Sequence, residues 1–432
     1  MEKRTFRRYN LLKAHNTNCS ILPNGELRSL DSIATRVNNN VVVLGASGAG
    51  KTRSVVIPNL LSACGSYIVT DPKGSLYRKY SSNMKSYGYK IRHIDLIHPE
   101  TSDSYNPLAY VRSTDDALKL ASLLVRLGFG GRTCSNDPFW ERASEMLVAS
   151  LIGYIFEGGR AVEPTLHGVI ELLAMIDPLA YEDNKKSPID KVFLEHRVNY
   201  QSRTGSESWA YEQFKKFKFN AAKTLSSIII TLQTMISGFD TTGIREMTSG
   251  GDTFDIRSVG REKTVIFLSI SDTDRSKDVI ANIFYSQAMN ELCSFADEEC
   301  EDSHLPIPVR FILDDFGTNC RIHGFEDMIS NIRSRGISAT LILQSESQLV
   351  QGYKESSHTI IDNCDTVVYM GGNDIETARM IAERSNSPIP TVLNMPIGTN
   401  WVFRRGEKPV FSKTVDLSEY HISPKRYALD RA

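Results

Sequence analysis

Eight residues constrain this chain more than any others. Gly45-Ala46-Ser47-Gly48-Ala49-Gly50-Lys51-Thr52 follow the apolar run Val41–Leu44 and lead into a helical stretch. A strand, a glycine-rich turn ending in lysine and a hydroxyl, and then a helix is the order in which a chain wraps a phosphate group. The glycines let the backbone curl, so that successive N–H groups and the helix amino terminus face the β-phosphate. Lys51 reaches the β and γ oxygens and Thr52 holds magnesium. A turn that only joined strand to helix would need neither side chain. Gly45, Gly48, Ala49, Gly50, Lys51 and Thr52 are therefore the expected phosphate-binding set. No Asn-Lys-x-Asp sequence follows to select guanine, so the expected ligands are ATP and Mg2+.

A phosphate loop needs an acidic partner on a neighbouring strand. Val309-Arg310-Phe311-Ile312-Leu313-Asp314-Asp315 offers one, with Asp314 placed to hold the magnesium shell and Asp315 to orient the attacking water. Read alone, such a pair also serves as a cap on the next turn. Residues 339–343 form another apolar run, ending in Gln344, a neutral amide placed where a phosphate or water sensor sits, a reading preferred to that of a merely satisfied strand end. Arg333 and Arg335 precede Gly336 at the expected end of a helix, where the helix dipole alone favours cations. By spacing, that reading and a catalytic one stand level.

Short β-branched runs recur at residues 41–44, 67–70, 91–97, 264–270, 309–313, 339–343 and 366–370, each followed by a turn signal and a helix-length segment. That alternation predicts an α/β fold with a mostly parallel sheet. The pattern changes between residues 113 and 240. Ser113 to Asp116 reads as a capping box opening a helix that Gly128 closes, and Ala143, Leu147, Leu151, Ile152 and Ile155 recur at helical spacing. Residues 181–208 are polar and charged and read as a loop or a linker between helices. The expected organisation is an ATPase domain of residues 1–112 and 241–432, interrupted by an all-α domain of residues 113–240.

Composition sets limits. With 50 Lys and Arg against 51 Asp and Glu in 432 residues, no global basic field draws nucleic acid, so any DNA contact is local. Seven scattered cysteines form no CxxC pair and no metal spacing, and read as buried thiols in a reducing compartment. The apolar runs at residues 146–156 and 228–239 fall short of the roughly 20 residues a membrane span needs. Lys3, Arg4, Arg7 and Arg8 have no apolar stretch behind them and read as a solvated end, not a signal peptide.

Taken in order, the motifs resemble the conjugative coupling proteins of type IV secretion, the TraG/TraD family of DNA-transfer ATPases. The resemblance runs from about residue 40 to residue 371. After the phosphate loop come Ile57-Pro58-Asn59-Leu60, Val69-Thr70-Asp71-Pro72-Lys73-Gly74, Ser104-Tyr105-Asn106-Pro107 and Asp137-Pro138-Phe139-Trp140. Leu313-Asp314-Asp315-Phe316-Gly317, Arg333-Ser334-Arg335-Gly336-Ile337-Ser338, Leu343-Gln344-Ser345 and Asp362-Asn363-Cys364-Asp365 complete the series.

The resemblance implies a RecA-like nucleotide domain with an inserted all-α domain. It also implies a ring of six subunits around single-stranded DNA, assembled on DNA or ATP, that delivers a relaxase-bound strand to the secretion channel. Lys51, Thr52, Asp314 and Gln344 fall on the family's loop, metal and sensor positions, and Arg333 on the arginine offered across the subunit interface. Asp71 and Lys73 match a family motif, a part in nucleotide response standing beside an ordinary Asp-Pro turn. Two departures stand out. The family usually has Glu where this chain has Asp315, which shortens reach by about 1.5 Å and implies slower hydrolysis. Members also usually begin with spanning helices, so the expectation here is a cytoplasmic protein, peripheral at the inner face of the membrane. A double-stranded DNA pump like the chromosome-segregation translocases, and a non-hydrolysing ATP-binding adaptor that recruits a relaxase, are the competing readings.

Overall fold

The computed structural model describes residues 9–128, 138–183, 185–236, 240–249, 253–316 and 322–421. Lys3, Arg4, Arg7, Arg8, Cys134, Asp137, Phe239, Gly317 and Cys320 lie outside the described residues. The chain divides into two compact units, one of residues 1–97, 255–273 and 288–432, the other of residues 98–254 and 274–287.

The first unit is built on a nine-stranded sheet. Its strands are β1 (Val41–Leu44), β2 (Ser66–Pro72), β3 (Lys90–Asp95), β4 (Thr264–Ile270), β5 (Val309–Leu313), β6 (Ile337–Leu343), β7 (Thr366–Tyr369), β8 (Thr399–Arg404) and β9 (Val410–Lys413). They lie in the order β9-β8-β7-β1-β6-β5-β2-β4-β3. The first seven run parallel, and β8 and β9 add antiparallel at one edge. Every position of β4 and β5 is buried. Strands covered on both faces read as continuous apolar runs without alternation, which makes the inner parallel strands visible in the sequence; the edge strand β3, exposed at Lys90 and Arg92, shows itself only through Ile91 and Ile94. The α/β fold with a mostly parallel sheet is as expected.

Register brings the carboxyl ends of the central strands together. Leu44 pairs with Leu343, Leu313 with Leu341, and Val69 with Ile312. The residues that follow β1, β5 and β6 therefore meet along one edge. Conserving that register needs fixed strand starts, and the Asp362-Asn363-Cys364-Asp365 segment supplies one. Asn363 O accepts from the side-chain amides of Asn38 (3.1 Å) and Asn40 (3.0 Å), and Asp365 Oδ2 accepts from Asn38 N (2.6 Å) just ahead of β1.

The second unit is helical. Its longer helices span Thr114–Gly128, Pro138–Phe156, Leu166–Ala174, Pro188–Thr204, Trp209–Lys218 and Ala222–Ile236. Ser113 Oγ accepts from Asp116 N (3.1 Å) at the first helix, as the capping pattern predicts. The unit takes in residues 98–112, 241–254 and 274–287, beyond the 113–240 block read from the sequence. Buried Tyr105 and Tyr110 account for this: Tyr105 packs edge-on to Phe284 (5.3 Å), and Tyr110 donates to Phe254 O (2.6 Å). Aromatics spaced by short turns carry no helical period, so pattern alone does not assign them.

Residues 181–208 are not a loop, which corrects the sequence reading. They hold the helix Pro188–Thr204, which buries only Ile189, Phe193 and His196 and leaves Leu194 and Val198 exposed, so it shows no amphipathic stripe. Its signals are local. Pro188 occupies the first turn, Asp190 Oδ2 accepts from Ser187 N (2.8 Å), and Gly205 ends it in the left-handed region (φ 75°). Cys19, Cys64 and Cys364 are buried as expected, but Cys293 and Cys300 are only partly so. Among the described residues no helix is long and apolar enough to cross a membrane.

Candidate nucleotide site

The loop after β1 is held between its two neighbouring strands. Gly45 N–H donates to Leu343 O (3.2 Å) and Ala46 N–H to Gly371 O (2.8 Å), and Ala49 N–H closes a turn on Ala46 O (3.1 Å). Gly48 and Gly50 adopt left-handed φ of 80° and 86°, values a side chain resists. The helix that follows opens with a π-helical stretch, Thr52–Val56, and continues as Ile57–Leu61. Ile57 N–H reaches back to Thr52 O. Pro58 has no N–H to give, and a wider turn accommodates that loss. Asn59 anchors the helix: its Nδ2 donates to Ile21 O (2.8 Å) and Val55 O (2.9 Å), and its Oδ1 accepts from Ile21 N (3.0 Å).

Lys51 Nζ donates to Gly45 O (2.5 Å) and Ala46 O (3.0 Å), curling over the loop. Burial lowers its pKa, against the raising influence of Asp314 and Asp315. Thr52 Oγ1 donates to Asp314 Oδ2 (2.8 Å). Asp314, 8% exposed, has its pKa raised by burial and then by its neighbour Asp315, against the Thr52 hydrogen bond and Lys51. A buried carboxylate whose ionised form is disfavoured, aimed at a hydroxyl after the phosphate loop, is a donor set short of positive charge. A divalent cation supplies it, so the residues present fit magnesium.

Asp315 has φ of 59° and its N–H donates to Asp314 Oδ1 (3.1 Å). Aspartate visits the left-handed region more readily than longer side chains, which gives a backbone reason for Asp here. Gln344 is exposed at the end of β6, its N–H donating to Gln348 Oε1 (2.9 Å). Gly48, Gly50, Lys51, Thr52, Asp314, Asp315 and Gln344 all line one cleft of about 540 Å3.

Arg333 is not there. It sits in a 3-10 turn before β6, with Nη2 donating to Ser32 O (2.9 Å). The seven residues of β6 separate it from Gln344, roughly 20 Å at strand rise. Arg335 pairs with Asp297 (Nη2 to Oδ2 2.7 Å). Arg333 therefore does not reach the cleft of its own chain.

Three residues of the cleft had no settled part in the sequence. Asp71 is wholly buried and accepts from Leu76 N (2.9 Å) and Tyr77 N (2.8 Å), capping the helix Ser75–Ser86. Burial raises its pKa against those donors. Lys73, at φ 72°, pairs with Asp272 Oδ2 (2.9 Å) at the rim. The Asp-Pro-Lys-Gly motif gave the turn away; nothing in the sequence signalled Asp272.

A parallel sheet with a phosphate loop at the carboxyl end of β1, and an acidic strand end beside it, defines a RecA-like P-loop NTPase fold. The chain belongs to the type IV secretory system conjugative DNA transfer family, whose model matches residues 2–385. It is 25% identical over 352 residues to the VirD4 protein of Rhizobium rhizogenes, covering 79% of this chain and 48% of that one. The chain thus spans about half the length of the curated relatives it matches. Among solved structures it is similar to the plasmid coupling protein TrwB in complex with the ATP analogue ADPNP, with a TM-score of 0.65 and 15% identity over 94% of this chain and 92% of that one. The TrwB complex with ADP and Mg2+ gives a TM-score of 0.64 and 16% identity, over 95% of this chain and 91% of that one. The resemblance to the conjugative coupling proteins read from the motifs is borne out.

Proposed function

We propose that this chain is the ATP-driven motor of a conjugative coupling protein, moving single-stranded DNA with its relaxase toward a type IV secretion channel. It works as a ring of six at the inner face of the membrane. The observation that carries this reading is the convergence of Lys51, Thr52, Asp314, Asp315 and Gln344 on one cleft, with Arg333 held at the far end of β6.

In this reading the loop amides that are not tied to the neighbouring carbonyls, between Ser47 and Thr52, cradle the phosphates, and Lys51 exchanges its bonds to Gly45 O and Ala46 O for the β and γ oxygens. Thr52 Oγ1 and Asp314 hold magnesium, which when bound neutralises charge on those oxygens. Asp315 orients water and accepts its proton, Gln344 senses the γ-phosphate, and Arg333 is offered to a neighbouring subunit's cleft. Family membership and the nucleotide complexes of TrwB support this assignment.

Phosphate release with Mg-ATP, measured with and without single-stranded and double-stranded DNA, tests it. Single-stranded DNA should raise turnover. Stimulation by duplex alone would support a double-stranded pump, and binding of ATP without turnover would support an adaptor.

A further inference from the structure

A second cleft lies at the starts of β5 and β6, where Arg310, Arg333, Asp31, Asn39, His304 and Ser338 are among the residues lining a space of about 270 Å3. Its floor is an anomaly. β5 is buried at all five positions, yet its second residue is Arg310, only 5% exposed. Arg310 Nη2 donates to Asn59 Oδ1 (2.9 Å) and the guanidinium lies 5.7 Å from the Tyr67 ring centroid. Among the described residues its Nη1 has no hydrogen-bond partner. A cation withdrawn from water, with one amide and one ring face for company, is costly unless a negative charge joins it.

The cleft's own carboxylate is engaged through one oxygen. Asp31 Oδ1 accepts from Ile33 N (3.0 Å) and Ala34 N (2.9 Å), capping the short helix Ser32–Thr35. Arg333 adds a second guanidinium, with Nη2 on Ser32 O (2.9 Å). The cleft thus gathers two arginines, one of them buried, against the single carboxylate of Asp31, so its lining carries a net positive charge.

We propose that this cleft is an oxyanion site that takes a phosphate group between Arg310 and Arg333. Planar guanidinium forks match phosphate oxygens better than any other cationic side chain. The group comes either as inorganic phosphate or as a phosphate on the nucleotide of a second copy of the chain; only the latter source rests on the ATPase reading above.

The test uses the full chain carrying Lys51→Ala, which disables the phosphate loop, in inorganic phosphate against chloride at equal ionic strength. Equilibrium dialysis with labelled phosphate should show saturable binding of one phosphate per chain, and phosphate should raise the thermal midpoint. Arg310→Met, which keeps an unbranched apolar stem and removes the charge, should fold and lose affinity by about tenfold or more. Arg333→Ala should also weaken binding, and Arg310→Lys, which keeps the charge without the fork, covers a Met variant that fails to fold. Absence of saturable binding to the Lys51→Ala chain, or equal affinity in the arginine variants that fold, would overturn the proposal. Addition of wild-type chain loaded with ADPNP separates the sources. Displacement of bound phosphate on assembly assigns the site to the second copy's nucleotide, and retention assigns it to the free anion.

Discussion

At the scale of single residues, the site separates groups that bind phosphate from groups that act on water. Lys51→Ala should abolish ATP turnover, a loss of at least about a hundredfold, while circular dichroism and the unfolding midpoint stay close to wild type, because the Lys51 ammonium bonds to loop carbonyls and not to the core. Turnover near the wild-type rate would remove the phosphate loop from the chemistry. Asp315 offers a finer contrast. Asp315→Asn should depress turnover strongly by removing the charge that polarises water. Asp315→Glu should keep or raise turnover through its longer reach. It should also lower stability by roughly 1 kcal/mol, because glutamate is strained at a φ of 59°. Equal turnover in the two variants would show that this carboxylate takes no part in activating water. The phosphate loop and the Asp314-Asp315 pair were legible in the sequence because both sit at the ends of short apolar strands. Arg310 was visible inside its strand but silent, since only the packed structure shows that no carboxylate among the described residues comes to meet it.

At the scale of elements, each part of the cleft depends on a neighbour that is not itself chemical. The helix Ser75–Ser86 is fixed at its start by the Asp71 carboxylate on two of its N–H groups. Asp71→Ala should cost about 1–2 kcal/mol, the usual value for a lost helix cap, read as a lower unfolding midpoint, with turnover falling far less than in Lys51→Ala. Turnover lost with no change in midpoint would instead give Asp71 a direct role in nucleotide response. The inner parallel strands were legible because burial on both faces leaves an unbroken apolar run, and the edge strand β3 through Ile91 and Ile94 alone. Strand β9 was not, since three of its four positions are exposed, and an edge strand needs no apolar code. The helix Pro188–Thr204 was missed for the complementary reason. A helix that buries three side chains carries its signal in its caps, Ser187, Asp190 and Gly205, and not in its period.

At the scale of the whole molecule, Arg333 defines the question, because seven residues of β6 stand between it and the cleft of its own chain. Arg333→Ala and Lys51→Ala rings should each be nearly inactive, a missing arginine finger costing on the order of a thousandfold. Mixed under conditions of subunit exchange, they should recover part of the activity, because an intact phosphate loop then faces an intact Arg333 across an interface. No recovery in confirmed mixed rings would rule out the role in trans, and full activity of Arg333→Ala alone would return the residue to its place at a helix end. This geometry was only half legible: spacing left Arg333 open between two roles, and the length of β6 removes its own cleft from both. Translocation itself is the most direct test of a motor that moves single-stranded DNA. Displacement of streptavidin from biotinylated oligonucleotides should require hydrolysable ATP, proceed on single strands in preference to duplex, and vanish in Lys51→Ala. Displacement that is absent with active, DNA-bound wild-type protein, or equally fast with ADPNP, would contradict it.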